Sequence, residues 1–163
     1  MKNKITLLLV LLLTGSVAAS AQLKRFSIGP YVEAGFPVGD FSKTNNTGFG
    51  VGLNADIKLV AGFGVTGSVG YMRFGGKTEN NFDHPNVAAV PVRVGIKYKL
   101  ISILYVKAEA GAANYTGDLD GSAFLFAPGV GIRVLGLDVQ AKWEGWFKDG
   151  TRSFFGLKAG YNF

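Results

Sequence analysis

The sequence contains no cysteine and one histidine, His84, and only 17% of its residues are charged. Without cysteine there is no disulfide framework, no thiolate-held zinc or iron–sulfur cluster and no lipid-modified N-terminal cysteine. A lone histidine excludes any site that needs two. Long apolar runs are also missing: beyond residue 21 nothing approaches 18 uninterrupted apolar residues, so the later chain holds no helical membrane span. What the chain does have is 24 glycines, 13 phenylalanines and 48% hydrophobic residues, a composition that argues against disorder. A length of 163 residues fits one domain with a real core. The formal charge of +6 resembles that of a nucleic-acid binder, and charge placement has to decide the matter.

The start of the chain reads separately from the rest. Lys2 and Lys4 precede the apolar run Ile5–Leu13, and Gly15, Ser16 and Ala19-Ser20-Ala21 follow as small residues. This is the layout of a secretory signal peptide, with cleavage between Ala21 and Gln22. The apolar run has nine residues, whereas a spanning helix needs about 20. The expected organisation is a signal peptide over 1–21 and one domain over 22–163.

Beyond Ala21 the apolar residues recur with period two, the signal of strands with two unlike faces. The pattern predicts eight strands and no helix: Phe26–Pro37, Gly48–Leu59, Phe63–Phe74, Ala88–Leu100, Ser102–Asn114, Ala123–Leu135, Leu137–Phe147 and Ser153–Phe163. Connections near Val60–Gly62, Leu100–Ser102 and Leu135–Gly136 are tight. Those at Val38–Thr47, Gly75–Val87, Tyr115–Ser122 and Lys148–Arg152 are longer and polar. Short turns at one end and longer loops at the other are expected of a hairpin meander inserted from one side of a membrane.

Alternation alone does not say which face is wet, but the aromatic residues do. On the apolar face, Phe26, Phe63, Tyr98, Tyr161 and Phe163 fall at the short-turn end. Phe36, Phe49, Tyr71, Phe124, Phe126, Phe147 and Phe155 fall near the loops. Aliphatic and small residues such as Val32, Leu53, Val94, Val106, Ile132 and Val139 lie between. Two aromatic girdles around an aliphatic belt match two membrane interfaces. The predicted fold is therefore all-β, an eight-stranded antiparallel up-and-down transmembrane barrel. Closure leaves no edge strand, which lipid requires.

The polar face then lines the lumen. Its charged set is Glu33, Asp56, Arg93, Lys97, Lys107, Glu109, Arg133, Lys142, Glu144 and Lys158, with Lys58, Lys99 and Asp138 beside them. An eight-stranded barrel is just wide enough for side chains, so these charges are expected to pair in a network that leaves no open pore. Outside it, Lys43, Arg73, Lys77, Lys148 and Arg152 face Asp40, Glu79, Asp83, Asp118, Asp120 and Asp149 near the loops. That surface is close to neutral, and a nucleic-acid partner loses its electrostatic footprint.

At this point the sequence resembles the small eight-stranded outer-membrane barrels of the OmpX and OmpA-transmembrane type, particularly the short Bacteroidota versions. The resemblance covers the chain from Gln22 and is most specific at Phe155-Gly-Leu157-Lys-Ala159-Gly-Tyr161-Asn-Phe163. The final Phe163, with Tyr161 two residues before it, is similar to the signal read by the barrel-assembly machinery. Pro37-Val-Gly-Asp-Phe41 followed by Gly48-Phe-Gly50 has the look of the family's first hairpin. The resemblance implies a monomer in a Gram-negative outer membrane. Its partners would be outer-membrane lipids, including lipopolysaccharide, the barrel-assembly machinery and periplasmic chaperones. No cofactor and no metal are implied.

Chemistry-bearing motifs are few. Gly48-Phe-Gly50-Val-Gly52 and Gly129-Val-Gly131 suggest a dinucleotide loop, but alternation runs straight through both where a helix should start. Asp118-Leu-Asp120-Gly121 lacks the acidic twelfth residue of a calcium loop, because that position is Gly129. His84-Pro85 with Asp83 reads as a loop turn. Asn45-Asn-Thr47 and Asn114-Tyr-Thr116 have the form of glycosylation sequons and read as loop residues in a bacterial envelope. The outer-membrane barrel enzymes, lipid A deacylases and palmitoyl transferases, would need a strand-borne His with Ser and carboxylate partners, which the loop residue His84 does not supply. The expected function is therefore a non-enzymatic structural or surface-interaction barrel. The alternative is an OmpW-like conduit for small hydrophobic molecules, lined near the loops by Met72, Phe74, Leu125, Trp146 and Phe154.

Overall fold

Eight strands pair around a closed antiparallel barrel in a computed structural model that describes residues 25–163 apart from 80, 81 and 118. The proposed signal peptide and the Ala21/Gln22 cleavage point lie outside the described residues. The strands are β1 (Phe26–Val38), β2 (Asn45–Lys58), β3 (Phe63–Gly76), β6 (Val87–Lys99), β7 (Leu104–Thr116), β8 (Ser122–Val134), β9 (Leu137–Phe147) and β10 (Thr151–Tyr161). Each pairs with its neighbour in sequence, and β1 closes on β10 from Tyr31↔Gly160 to Val38↔Ser153. The expected boundaries hold to within about three residues, because period-two patterning fades at strand ends, where side chains of both faces meet water.

Three short elements depart from the eight-strand expectation. A five-residue helix, α1 (Asp40–Thr44), fills the β1–β2 loop where no helix was expected. Fewer than two turns leave no helical period to detect, and what orders the segment is Phe41, buried against the barrel top. Two-residue strands β4 (Thr78–Glu79) and β5 (Phe82–Asp83) form a small outer hairpin within the β3–β6 loop.

Two interior prolines interrupt ladders without shifting register. The β3–β6 pairing runs to Val69↔Val92 and resumes at Met72↔Ala89, spanning Pro91. The β8–β9 pairing breaks between Phe126↔Gly145 and Gly129↔Lys142, spanning Pro128. Proline brings no N–H to the ladder, so two partner pairs drop out at each site while the strands stay aligned. At the β8–β9 turn Leu135 (φ 50°) and Gly136 (φ 89°) are both left-handed, as a two-residue type I′ hairpin requires.

Burial is inverted relative to a water-soluble sandwich. Outward Val32, Phe49, Leu53, Val94, Ile96, Phe124, Phe155 and Leu157 are exposed, while inward Glu33, Arg93, Glu109, Lys142 and Glu144 are buried. All twelve residues of the two expected girdles are exposed on the outer face. Strand parity thus delivers a charged interior and an apolar surface.

Candidate functional site

The barrel interior is stacked in three layers. The middle layer centres on Glu144 of β9, which is fully buried. Arg93 of β6 donates to it twice, from Nε at 3.0 Å and Nη2 at 2.9 Å. Lys142 donates at 2.6 Å and the Trp146 indole N–H at 2.7 Å. Lys142 also contacts Glu33 at 2.8 Å, and Arg93 lies 3.7 Å from the same carboxylate. Arg93 Nη1 further donates to the Tyr31 hydroxyl at 3.3 Å. Paired, multiply bonded charges are the form in which ions tolerate such burial.

Beside this knot Lys107 and Glu109 form an ion pair at 3.2 Å. Lys158 takes a different partner: among the described residues its ammonium makes no hydrogen bond, and it stands 3.7 Å above the Tyr31 ring. The ring's electron-rich face stands in for a carboxylate there.

The short-turn layer is a second ion cluster. Arg133 contacts both Asp56 and Asp138, Lys97 reaches Asp56 at 3.0 Å and Asp138 at 3.7 Å, and the Tyr105 hydroxyl donates to Asp138. Lys97 also covers the Tyr105 ring at 4.0 Å. Below it Asn54 donates to Asn162 next to the C-terminal residue. Lys58 and Lys99 have the inward parity of this layer but are exposed at the barrel mouth, because their strands end there and the long side chains reach water.

The loop-end layer is apolar. The Phe74 ring packs on Phe41 of α1 at 4.9 Å, Phe154 at 5.0 Å and Trp146 at 5.9 Å, and Trp146 packs on Phe154 at 5.6 Å. Met72 and Leu125 join the cluster, and these side chains are at most 1% exposed, Phe41 4%. Phe41 and Tyr115, whose ring lies 6.0 Å from Trp146, are members that sequence reading missed, since both fall in segments read as loops, which offer no parity from which to infer direction. At the start of α1 the exposed Asp40 accepts a hydrogen bond from Lys43 at 2.8 Å, which holds its carboxyl below the usual range.

The other motifs find plain roles. Gly48, Gly50 and Gly52 lie within β2 and leave room for Phe74, Met72 and Tyr31, which a Cβ would strike. His84 is half-buried in the β3–β6 loop, its amide donating to the Lys77 carbonyl at 3.0 Å. The Asp120 carbonyl accepts from Lys148 at 2.5 Å, and Asp118 lies outside the described residues. Among the described residues no three His, Cys, Asp or Glu side chains gather to hold a metal. The Tyr161 and Phe163 rings pack edge to face on the outer face, centroids 5.1 Å apart, with the Phe163 amide donating to the Ile28 carbonyl of β1 at 2.9 Å.

No family model matches the sequence, and no curated protein does either. Solved structures do. The backbone of Yersinia pestis Ail in a phospholipid nanodisc is 16% identical, with 83% of this chain and 99% of that one covered, at a TM-score of 0.58. A designed transmembrane β-barrel is 15% identical over 84% of this chain and 95% of its own, at 0.56. The N-terminal barrel of Pseudomonas aeruginosa OprF is 15% identical over 84% and 97%, at 0.53. The inverted interior and these likenesses agree: the fold of this chain is that of the small eight-stranded outer-membrane β-barrels.

Proposed function

We propose that this protein is a non-enzymatic barrel of a Gram-negative outer membrane, with both termini periplasmic and the longer loops facing outward, serving as a structural or surface-interaction element. The observation that carries the reading is the inversion of burial, with Val32, Val94 and Leu157 exposed and Glu33, Arg93 and Glu144 enclosed. Such a surface is stable in hydrocarbon and aggregates in water. Lipid, lipopolysaccharide included, is then the solvent of the outer face, and the Tyr161/Phe163 pair is the handle for the barrel-assembly machinery.

The lumen is read as closed. Supporting this are the aromatic cluster at the loop end and the ion knot beneath it, which together occupy the width of the barrel. A hydrophobic conduit would require Phe74, Trp146 and Phe154 to part. Outer-membrane fractionation with heat-modifiable gel mobility tests the location, and planar-bilayer recording tests closure. Recovery as a soluble periplasmic monomer would sink the first reading, and a steady single-channel conductance the second.

A further inference from the structure

Turns that face water are usually polar, yet the three short turns here are apolar. Leu59 and Val60 on the β2–β3 turn, Leu100 and Ile101 on the β6–β7 turn and Leu135 on the β8–β9 turn are all exposed, Leu135 at 93%. The apolar surface therefore continues past the girdle of Phe63, Tyr98 and Tyr161 and around the barrel end.

Between the first two turns opens a recess of about 260 Å³. Ile57, Leu59, Phe63 and Ile103 line it, together with Lys58, Lys97, Lys99 and Arg133. Its floor is internally matched, because Lys97 and Arg133 are paired with Asp56 and Asp138. Lys58 and Lys99 are exposed and, among the described residues, have neither hydrogen bond nor ion pair from their ammonium groups. The mouth thus holds two unmatched positive charges. Exposed Arg25, whose carbonyl accepts from the Lys58 amide at 2.6 Å, brings a third to the same end.

An inorganic anion would gain from the charges and nothing from the apolar walls. An amphiphile uses both. The recess is smaller than the roughly 300–1,000 Å³ of pockets that swallow whole small molecules, so it suits a head group whose chain runs outward. We propose that it binds the anionic head of a membrane amphiphile, a phosphate or carboxylate, between Lys58 and Lys99, with the chain against Leu59, Phe63 and Ile103. The inference rests on the membrane reading above and supplies a ligand for its short-turn end. An ammonium is a point charge that accepts either anion.

The test folds the isotopically labelled full chain in neutral maltoside micelles and follows the amide resonances of Gly62, Gly64 and Ser102. Short-chain phosphatidylglycerol, a short-chain fatty acid, short-chain phosphatidylcholine and inorganic phosphate are titrated in turn. Saturable shifts are expected with the two anionic amphiphiles, and their relative affinity tells phosphate from carboxylate. The double variant K58Q/K99Q, altered only at exposed side chains, should keep its heat-modifiable mobility and bind at least tenfold more weakly. Equal shifts with phosphatidylcholine, an unchanged response in the double variant, or inorganic phosphate binding as tightly as the amphiphiles would each overturn the proposal. Vesicle insertion of the same preparation separates the two readings. A chain that inserts and shows no site keeps its membrane role and loses this ligand, whereas one that never inserts loses both.

Discussion

Arg93 and Glu144 face each other across the barrel, the guanidinium of β6 holding the carboxylate of β9 through two hydrogen bonds of 3.0 and 2.9 Å. Neither side chain has any exposed surface. The same carboxylate takes Lys142 and the Trp146 indole, so one acceptor ties the ion layer to the aromatic layer above it. A paired guanidinium and carboxylate satisfy each other's desolvation in two directions at once, which a lysine in place of Arg93 would not reproduce.

Removing one partner takes two charge-assisted hydrogen bonds from the other inside a closed barrel. Arg93→Met should destabilise the barrel by about 3–5 kcal/mol, and the double change Arg93→Met with Glu144→Leu by clearly less than the sum of the two single changes. Denaturant unfolding in micelles, followed by heat-modifiable mobility, gives both values. Additive losses would show that the pair is not coupled.

The two tryptophans report the two faces. Trp143 has outward parity and packs beside Phe147 at 6.5 Å, while Trp146 is fully buried in the lumen. In bilayers containing brominated lipid, the W146F variant, which retains Trp143, should be strongly quenched. The W143F variant, which retains Trp146, should be quenched little and should also resist an aqueous quencher. Equal quenching of the two would contradict the assignment of faces.

Glycines of one strand should differ sharply in tolerance. A Cβ on Gly70 would lie 2.6 Å from the Val51 carbonyl oxygen and closer still to the Tyr31 hydroxyl, whereas one on Gly67 would meet only the Arg93 carbonyl oxygen at 3.6 Å. Gly70→Ala is expected to cost about 1–3 kcal/mol through overpacking. Gly67→Ala should be neutral or stabilise by about 0.5–1 kcal/mol, because it lowers the entropy of the unfolded chain. Unfolding midpoints of the two variants, measured side by side, test the contrast.

Phe163 is exposed on the outer face, so deleting it removes little packing from the folded barrel. Loss of the residue should slow insertion in cells and lengthen periplasmic protease sensitivity, while the refolded protein in vitro keeps nearly its full stability. Normal assembly of the truncated chain would count against an assembly role for this residue.

Strand number, strand direction and the wet and dry faces were legible in the sequence, because side-chain alternation is a local property of the extended chain. Ser27, Tyr31, Glu33 and Gly35 had to share one face whatever β1 paired with. The inward set was legible for the same reason, down to Tyr105 and Trp146. Which ion meets which was not. Arg93 and Glu144 are 51 residues apart, and their meeting depends on the register of every strand between them and on closure of β1 against β10. Parity likewise could not tell that Lys158 rests on a Tyr31 ring while Lys58 and Lys99 reach the open mouth, since that turns on height along the barrel axis. Nor could it show Phe41 closing over Phe74, where a five-residue helix is held by the packing it makes. Alternation sorts residues to inside or outside one strand at a time. Register, depth and the partner each ion takes emerge only when all eight strands share one interior.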